Sequence, residues 1–74
     1  MNKLERVPFQ ISLAAARVNA NLTQADVAKM LNVTPQTVVN WEKGDGEPKI
    51  SQALKLSAIY KMPLDYIFLP TKSN

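Results

Sequence analysis

The run Thr23-Gln24-Ala25-Asp26-Val27-Ala28-Lys29-Met30-Leu31-Asn32-Val33-Thr34-Pro35-Gln36-Thr37-Val38-Val39-Asn40-Trp41-Glu42-Lys43-Gly44 holds the start and stop signals of two helices in close succession. Thr23 is placed to cap the first of them. Asp26, at its third helical position, suits the positive helix end. Val27, Ala28, Met30 and Leu31 form its apolar set. Thr34 caps the second, Pro35 fills its first helical position, and Gly44 ends it. Only Asn32, Val33 and Thr34 remain between them, too short a connection for parallel neighbours and suited to a tight turn between crossed helices. Such a crossing needs a small residue inside the first helix, a left-handed turn residue four positions later and a branched apolar plug six positions beyond that. Ala28, Asn32 and Val38 stand at those places.

Outward from this pair, the spacing predicts three more helices and no period-two alternation long enough for a strand. The first spans about Phe9 to Asn19, with Phe9, Leu13 and Arg17 one turn apart and alanines between them; Asn19, Ala20 and Asn21 close it. Gly44-Asp45-Gly46-Glu47-Pro48 reads as a loop. A fourth helix follows from about Ile50 to Tyr60, with Ala53, Leu56, Ser57 and Tyr60 on one face. A short fifth begins at Pro63 and runs through Leu64, Ile67 and Phe68 to Pro70. The expected organisation is a flexible segment at 1–7, one domain at 8–70 and a frayed tail at 71–74. The fold class is all-α, a compact five-helix bundle.

Composition narrows the function classes. The 74 residues make one small domain, and a chain of this size must bury its core efficiently. There is no cysteine and no histidine, which removes disulfides, thiolate metal sites, the commonest general base and the commonest metal ligand. The six carboxylates, Glu5, Asp26, Glu42, Asp45, Glu47 and Asp65, are scattered without a paired site, so neither an enzyme nor a metal centre is expected. No cofactor is expected either. No apolar run approaches a membrane span, and Lys3, Glu5 and Arg6 are followed by no apolar stretch of the signal-peptide kind. The expected location is the bacterial cytoplasm or nucleoid. A net charge of +3 permits a polyanionic partner without requiring one.

From Leu13 to Leu69 the chain resembles the phage repressor and Cro type of helix-turn-helix domain, also called the xenobiotic-response-element type. The resemblance rests on Arg17, Leu22-Thr23-Gln24, Val27-Ala28, Asn32-Val33-Thr34, Trp41-Glu42-Lys43-Gly44, Pro48 and Leu64-Asp65-Tyr66-Ile67. It implies a lambda-repressor-like DNA-binding domain whose third helix, about 35–43, reads the major groove of a double-stranded DNA operator. Gln36, Thr37 and Asn40 would then read base edges, since amide side chains pair bidentately with adenine and a threonine methyl suits that of thymine. Thr23, Gln24, Thr34, Lys43 and Lys49 would contact phosphate. Arg17 and Glu42 match a structural ion pair of the family. Asn40 stands where the family often has arginine, and Val39 where a small or polar residue is usual. Lys43 is therefore the one cation of the third helix.

Blander readings stand beside these. Gln36, Thr37 and Asn40 would also make an ordinary polar face. Trp41 fits the core better than a stacking platform, and Lys29, Lys49, Lys55 and Lys61 fit a solvated surface. Val39, Leu54, Ile59, Phe68 and Leu69 exceed what one small core obviously needs and are candidates for a protein interface. Two functions follow. One is a sequence-specific transcriptional regulator, a homodimer on its operator and closer to stand-alone Cro-like members than to full repressors. The other is an antirepressor-like module that binds a partner repressor and masks its DNA-reading surface.

Overall fold

A computed structural model describes residues 10–68. Its elements in chain order are β1 (Ile11–Ser12), α1 (Leu13–Asn19), α2 (Gln24–Leu31), α3 (Pro35–Lys43), α4 (Ile50–Tyr60), a single 3-10 turn (Leu64–Tyr66) and β2 (Ile67–Phe68). The described chain is thus helical but for a parallel ladder that pairs Ile11 with Ile67 and Ser12 with Phe68.

The ladder changes both ends of the expected architecture. The first helix begins at Leu13, not near Phe9, because extended Ser12 caps it and accepts a 3.0 Å hydrogen bond from the Ala15 N–H. Ahead of that cap, β-branched Ile11 takes the strand conformation it favours. The expected fifth helix shrinks to one 3-10 turn, closed by Tyr66 N–H to Pro63 O at 2.9 Å. Ile67, at φ −107° and ψ 123°, then turns extended to meet Ile11. Two residues per strand are too few to leave an alternating pattern, so the pairing is fixed by what the bundle brings together. Gln10 Nε2 donates to Asp65 O at 3.1 Å beside it. Phe9, Leu69 and the expected terminal segments at 1–7 and 71–74 lie outside the described residues.

The two central helices start and stop on the expected residues. Thr23 Oγ1 accepts from the Asp26 N–H at 3.0 Å and Asp26 Oδ2 accepts from the Thr23 N–H at 2.8 Å, a reciprocal capping box. The Thr23 backbone N–H on the carboxylate, helped by the Thr23 side chain, holds Asp26 below its ordinary pKa. Thr34 Oγ1 accepts from the Thr37 N–H at 3.1 Å, and Pro35 needs no donor in the first turn. Asn32 ends α2 at φ 59°, and Gly44 ends α3 at φ 84°. Asparagine and glycine carry this left-handed geometry at little steric cost.

One core joins all four α-helices to β2. It comprises Leu13, Ala16, Val27, Ala28, Leu31, Val38, Trp41, Leu56, Tyr60 and Ile67, with Leu22, Val33, Ile59 and Met62 packed against it. Val27 and Val38 are essentially without exposure, and Ala28 between them lets α2 and α3 approach. Trp41, read from its spacing as core, is 5% exposed. Met30, expected among the apolar set of α2, is 51% exposed. The buried stripe is Val27, Ala28 and Leu31, and Met30 projects more than a quarter-turn from its centre. On α4 the buried residues are Ala53, Leu56 and Tyr60, while Ser57 Oγ donates to Met62 O at 2.7 Å and ties the helix end to the following turn.

The left-handed turn gives a direct check. Asn32→Val lowers stability by about 1–2 kcal/mol, because a branched side chain meets the following carbonyl at positive φ. Asn32→Gly leaves it nearly unchanged. Urea denaturation midpoints of the two variants measure the difference.

Candidate nucleic-acid interface

Beneath the outer face of α3 lies a polar junction that fixes how the helix sits. Arg17 on α1 reaches Glu42 on α3 with Nε to Oε2 at 2.7 Å and Nη2 to Oε1 at 3.3 Å. The same guanidinium donates through Nη1 to Leu22 O at 3.0 Å, ahead of α2. Gln24, the first residue of α2, donates from Nε2 to Glu42 Oε1 at 3.0 Å. One carboxylate therefore holds three helices together. The Arg17 and Glu42 side chains are only 15% and 8% exposed, so the pair is bidentate and largely removed from water. The hydrogen bond to Glu42 raises the Arg17 pKa further above its ordinary value. Tyr60 on α4 feels the same pair: burial, reinforced by the Glu42 charge, pushes its phenol up to about 12.

The opposite side of α3 is open. Gln36 is exposed, and Thr37 and Asn40 are partly so. Spacings of one, three and four residues bring these three side chains to one face. Gln36 Nε2 donates to Asn40 Oδ1 at 3.0 Å, and the hydroxyls of Thr34 and Thr37 lie 2.9 Å apart. The two amides keep unused donor and acceptor capacity, because each carries two N–H bonds and a carbonyl. Val38 and Trp41 anchor the buried side of the same helix. Val39 is partly buried.

The residues expected at phosphates fall into two groups. Thr23, Gln24 and Thr34 stand at the N-terminal ends of α2 and α3, where backbone N–H groups and the helix dipole favour an anion. The Asp26 carboxylate in the first turn of α2 partly offsets that preference. Gln24 already spends one N–H on Glu42, a role no local sequence pattern reveals because its partner is 18 residues away. Lys43 and Lys49 flank the loop after α3. Lys43 Nζ lies 3.7 Å from Asp45 Oδ2 with both side chains well exposed, a weak pairing that screening makes easy to exchange. Lys49 is exposed, and its backbone N–H donates to Gln52 Oε1 at the start of α4.

Of the residues read as candidates for a protein interface, Leu54 is 56% exposed, Val39 is partly buried and Ile59 packs against the core. Phe68 forms part of β2, and Leu69 lies outside the described residues. Val18 and Ile50, 60% and 79% exposed, were not among them. Ile50 opens its helix, before the periodicity that would reveal its outward direction is established. No group of acidic residues fit to hold a metal ion occurs among the described residues. No helix there is long and apolar enough to cross a membrane.

Two capped helices crossing at an alanine, joined by a left-handed asparagine turn and bearing a polar outer face, define a helix-turn-helix. The Helix-turn-helix family model matches residues 13–67, well over half of the chain. The protein belongs to that family, in its xenobiotic-response-element type. It is 39% identical over 49 residues to an uncharacterised HTH-type transcriptional regulator of Methanocaldococcus jannaschii, covering 66% of this chain and 74% of that protein. It is 34% identical over 55 residues to the HTH-type transcriptional regulator ImmR of Bacillus subtilis, covering 74% of this chain and 43% of that one. Against the cryptic phage CTXphi transcriptional repressor RstR of Vibrio cholerae it is 29% identical over 66 residues, covering 89% and 60%. No solved structure matches the chain significantly.

Two measurements test the junction. Glu42→Ala strands the Arg17 charge and costs about 3–5 kcal/mol by urea denaturation, whereas Arg17→Met with Glu42→Leu recovers much of that loss. The Tyr60 phenol ionises in the unfolded chain near 10.0 but in the folded one at about 12. Its stabilising effect is thus intact below pH 10 and is lost as pH rises towards 12. Tyr60→Phe should flatten the alkaline fall in stability across that window, followed by Trp41 emission.

Proposed function

We propose that this protein is a sequence-specific DNA-binding transcriptional regulator of phage or bacterial type, with α3 reading the major groove of a double-stranded operator. The observation that carries this reading is the two-sidedness of α3. Val38 and Trp41 are locked into the core while Gln36, Thr37 and Asn40 face outward together. An amide pair suits adenine, with Gln36 or Asn40 accepting from the base N6 amine and donating to N7. The Thr37 methyl would pack on a neighbouring thymine.

Affinity on this reading comes from the flanks of the reading helix. The amides at the start of α2, the Thr23, Gln24 and Thr34 side chains, Lys43 and Lys49 would grip the phosphates on either side. DNA would displace Asp45 from Lys43, exchanging a weak surface pairing for a phosphate contact. Arg17 and Glu42 serve structure. The regulator would act as a homodimer on two half-sites about 34–36 Å apart, as helix-turn-helix proteins do, within the cytoplasm and without cofactor or catalysis. Repression is the direction we assign, in line with the repressor named among its relatives. The antirepressor-like reading, which Val39 and the sparse basic charge suggested, is not carried forward, since the relatives reported above are named transcriptional regulators and Val39 is partly buried.

Gln36→Ala should weaken binding to an in vitro selected operator by about 1–3 kcal/mol and relax the preference at one base pair. Thermal stability should change little, because Gln36 is exposed and its hydrogen bond to Asn40 lies on the open face of the helix. Lys43→Ala should weaken all sequences alike and flatten the salt dependence by roughly one phosphate contact. An operator affinity indifferent to Gln36→Ala would overturn the role of α3.

A further inference from the structure

The two amides on the open face of α3 are joined to each other, and the bond has a direction. Gln36 Nε2 donates to Asn40 Oδ1 at 3.0 Å, four residues further along the same helix. A glutamine one turn ahead of an asparagine or aspartate is an order that stabilises a helix through this bond. It also turns the amine, the positive end of the Gln36 amide, towards the negative end of the helix dipole. What each side chain keeps for a further partner is therefore different. Gln36 keeps its carbonyl oxygen and one N–H. Asn40 keeps both of its N–H bonds, while its oxygen is already engaged by Gln36.

We propose that this bond divides the reading between the two side chains, Gln36 taking adenine and Asn40 taking guanine. Adenine offers its amine and N7 to the major groove, a donor beside an acceptor. Gln36 matches that pattern with its free oxygen and remaining N–H. Guanine offers N7 and O6, two acceptors and no donor. Asn40 matches that pattern with its two N–H bonds and does not need the oxygen that Gln36 engages. At an adenine, the base amine would compete with Gln36 for that oxygen. Thymine presents one acceptor and cytosine only a donor, so both use the Asn40 amine less fully. A free asparagine pairs with adenine; the bond from Gln36 is what reassigns this one.

Helix geometry sets how far apart the two bases lie. Four residues advance about 6 Å along an α-helix, which is between one and two of the ~3.4 Å steps of B-DNA. Each half-site then carries an adenine and a guanine no more than about two base pairs apart. This division rests on α3 lying in the major groove as proposed above, and names the bases it reads there.

The experiment is selection from a random duplex pool by the full chain, repeated with variants at positions 36 and 40, neither of which belongs to the core. The unsubstituted chain should enrich an adenine and a guanine within that distance. Replacing the guanine by 7-deazaguanine removes its N7 and should weaken binding about tenfold, a readout that needs no variant. The same replacement should not matter to Asn40→Ala. Asn40→Asp still accepts from Gln36 but offers the base only acceptors, so guanine should give way to cytosine while the adenine stays. Gln36→Glu cannot donate, so Asn40 turns its amine to the new carboxylate and frees its oxygen. Guanine should then give way to adenine at the Asn40 position, a change at a base that residue 36 does not touch. Two adenines in the selected site, guanine retained by Asn40→Asp, or a Gln36→Glu effect confined to its own base each overturns the division while leaving α3 as the reader. A chain that selects no sequence at all overturns the groove reading, and this division with it.

Discussion

The Glu42 carboxylate is the constraint on which the rest of this fold depends. It accepts from Arg17 on α1 and Gln24 on α2 while belonging to α3, so the three helices that define the motif share one charge. Apolar packing alone tolerates small rotations of a helix, since a core of valine, leucine and alanine can repack around them. A bidentate arginine contact does not. The junction converts a greasy contact between helices into a fixed orientation, and base reading requires orientation more than it requires stability. Tyr60, buried on α4, lies within electrostatic reach of the pair, and its own burial is the first cause of its raised phenol pKa.

Around that junction, α3 is divided cleanly. Its buried side is apolar and tight, and its open side is polar, with Gln36 and Asn40 already hydrogen-bonded to each other. On the proposed reading, such a pair would meet DNA with part of its side-chain freedom already spent, which lowers the ordering cost of binding. The electrostatic contribution is thin by comparison: the cation of this helix, Lys43, sits beside Asp45. On the proposed reading that balance would favour base-edge chemistry over phosphate attraction, giving a regulator whose discrimination is better than its bulk affinity.

The centre of the fold was legible in the sequence because it is written in local signals. Thr23, Asn32, Thr34, Pro35 and Gly44 act within a turn of themselves, and each sits at the helix boundary it announced. The margins were not. The Ile11–Ile67 pairing joins residues 56 positions apart in register, and two-residue strands carry no period to detect. Periodicity alone therefore extended the first helix past the Ser12 cap and drew a full helix where a single 3-10 turn stands. Within the interface, spacing placed Gln36, Thr37 and Asn40 on a common face, which needs only helical geometry. It did not show that Gln24 serves Glu42, that Ile59 turns inward, or that Ile50 and Met30 turn outward. Those directions are set by how helices pack on one another, and no single helix encodes them.

The separation of the two sides of α3 also bears on how such a protein can change over time. Most substitutions cost stability, and a small domain has little to lose. Positions 36, 37 and 40 hold nothing in the core, so their side chains can be exchanged with little thermodynamic penalty, while the Arg17–Glu42–Gln24 junction keeps the helix aimed. If α3 reads DNA as proposed, a lineage carrying this domain would drift from one operator to another by surface changes alone. Related copies of the domain would then differ in recognition while remaining the same machine underneath.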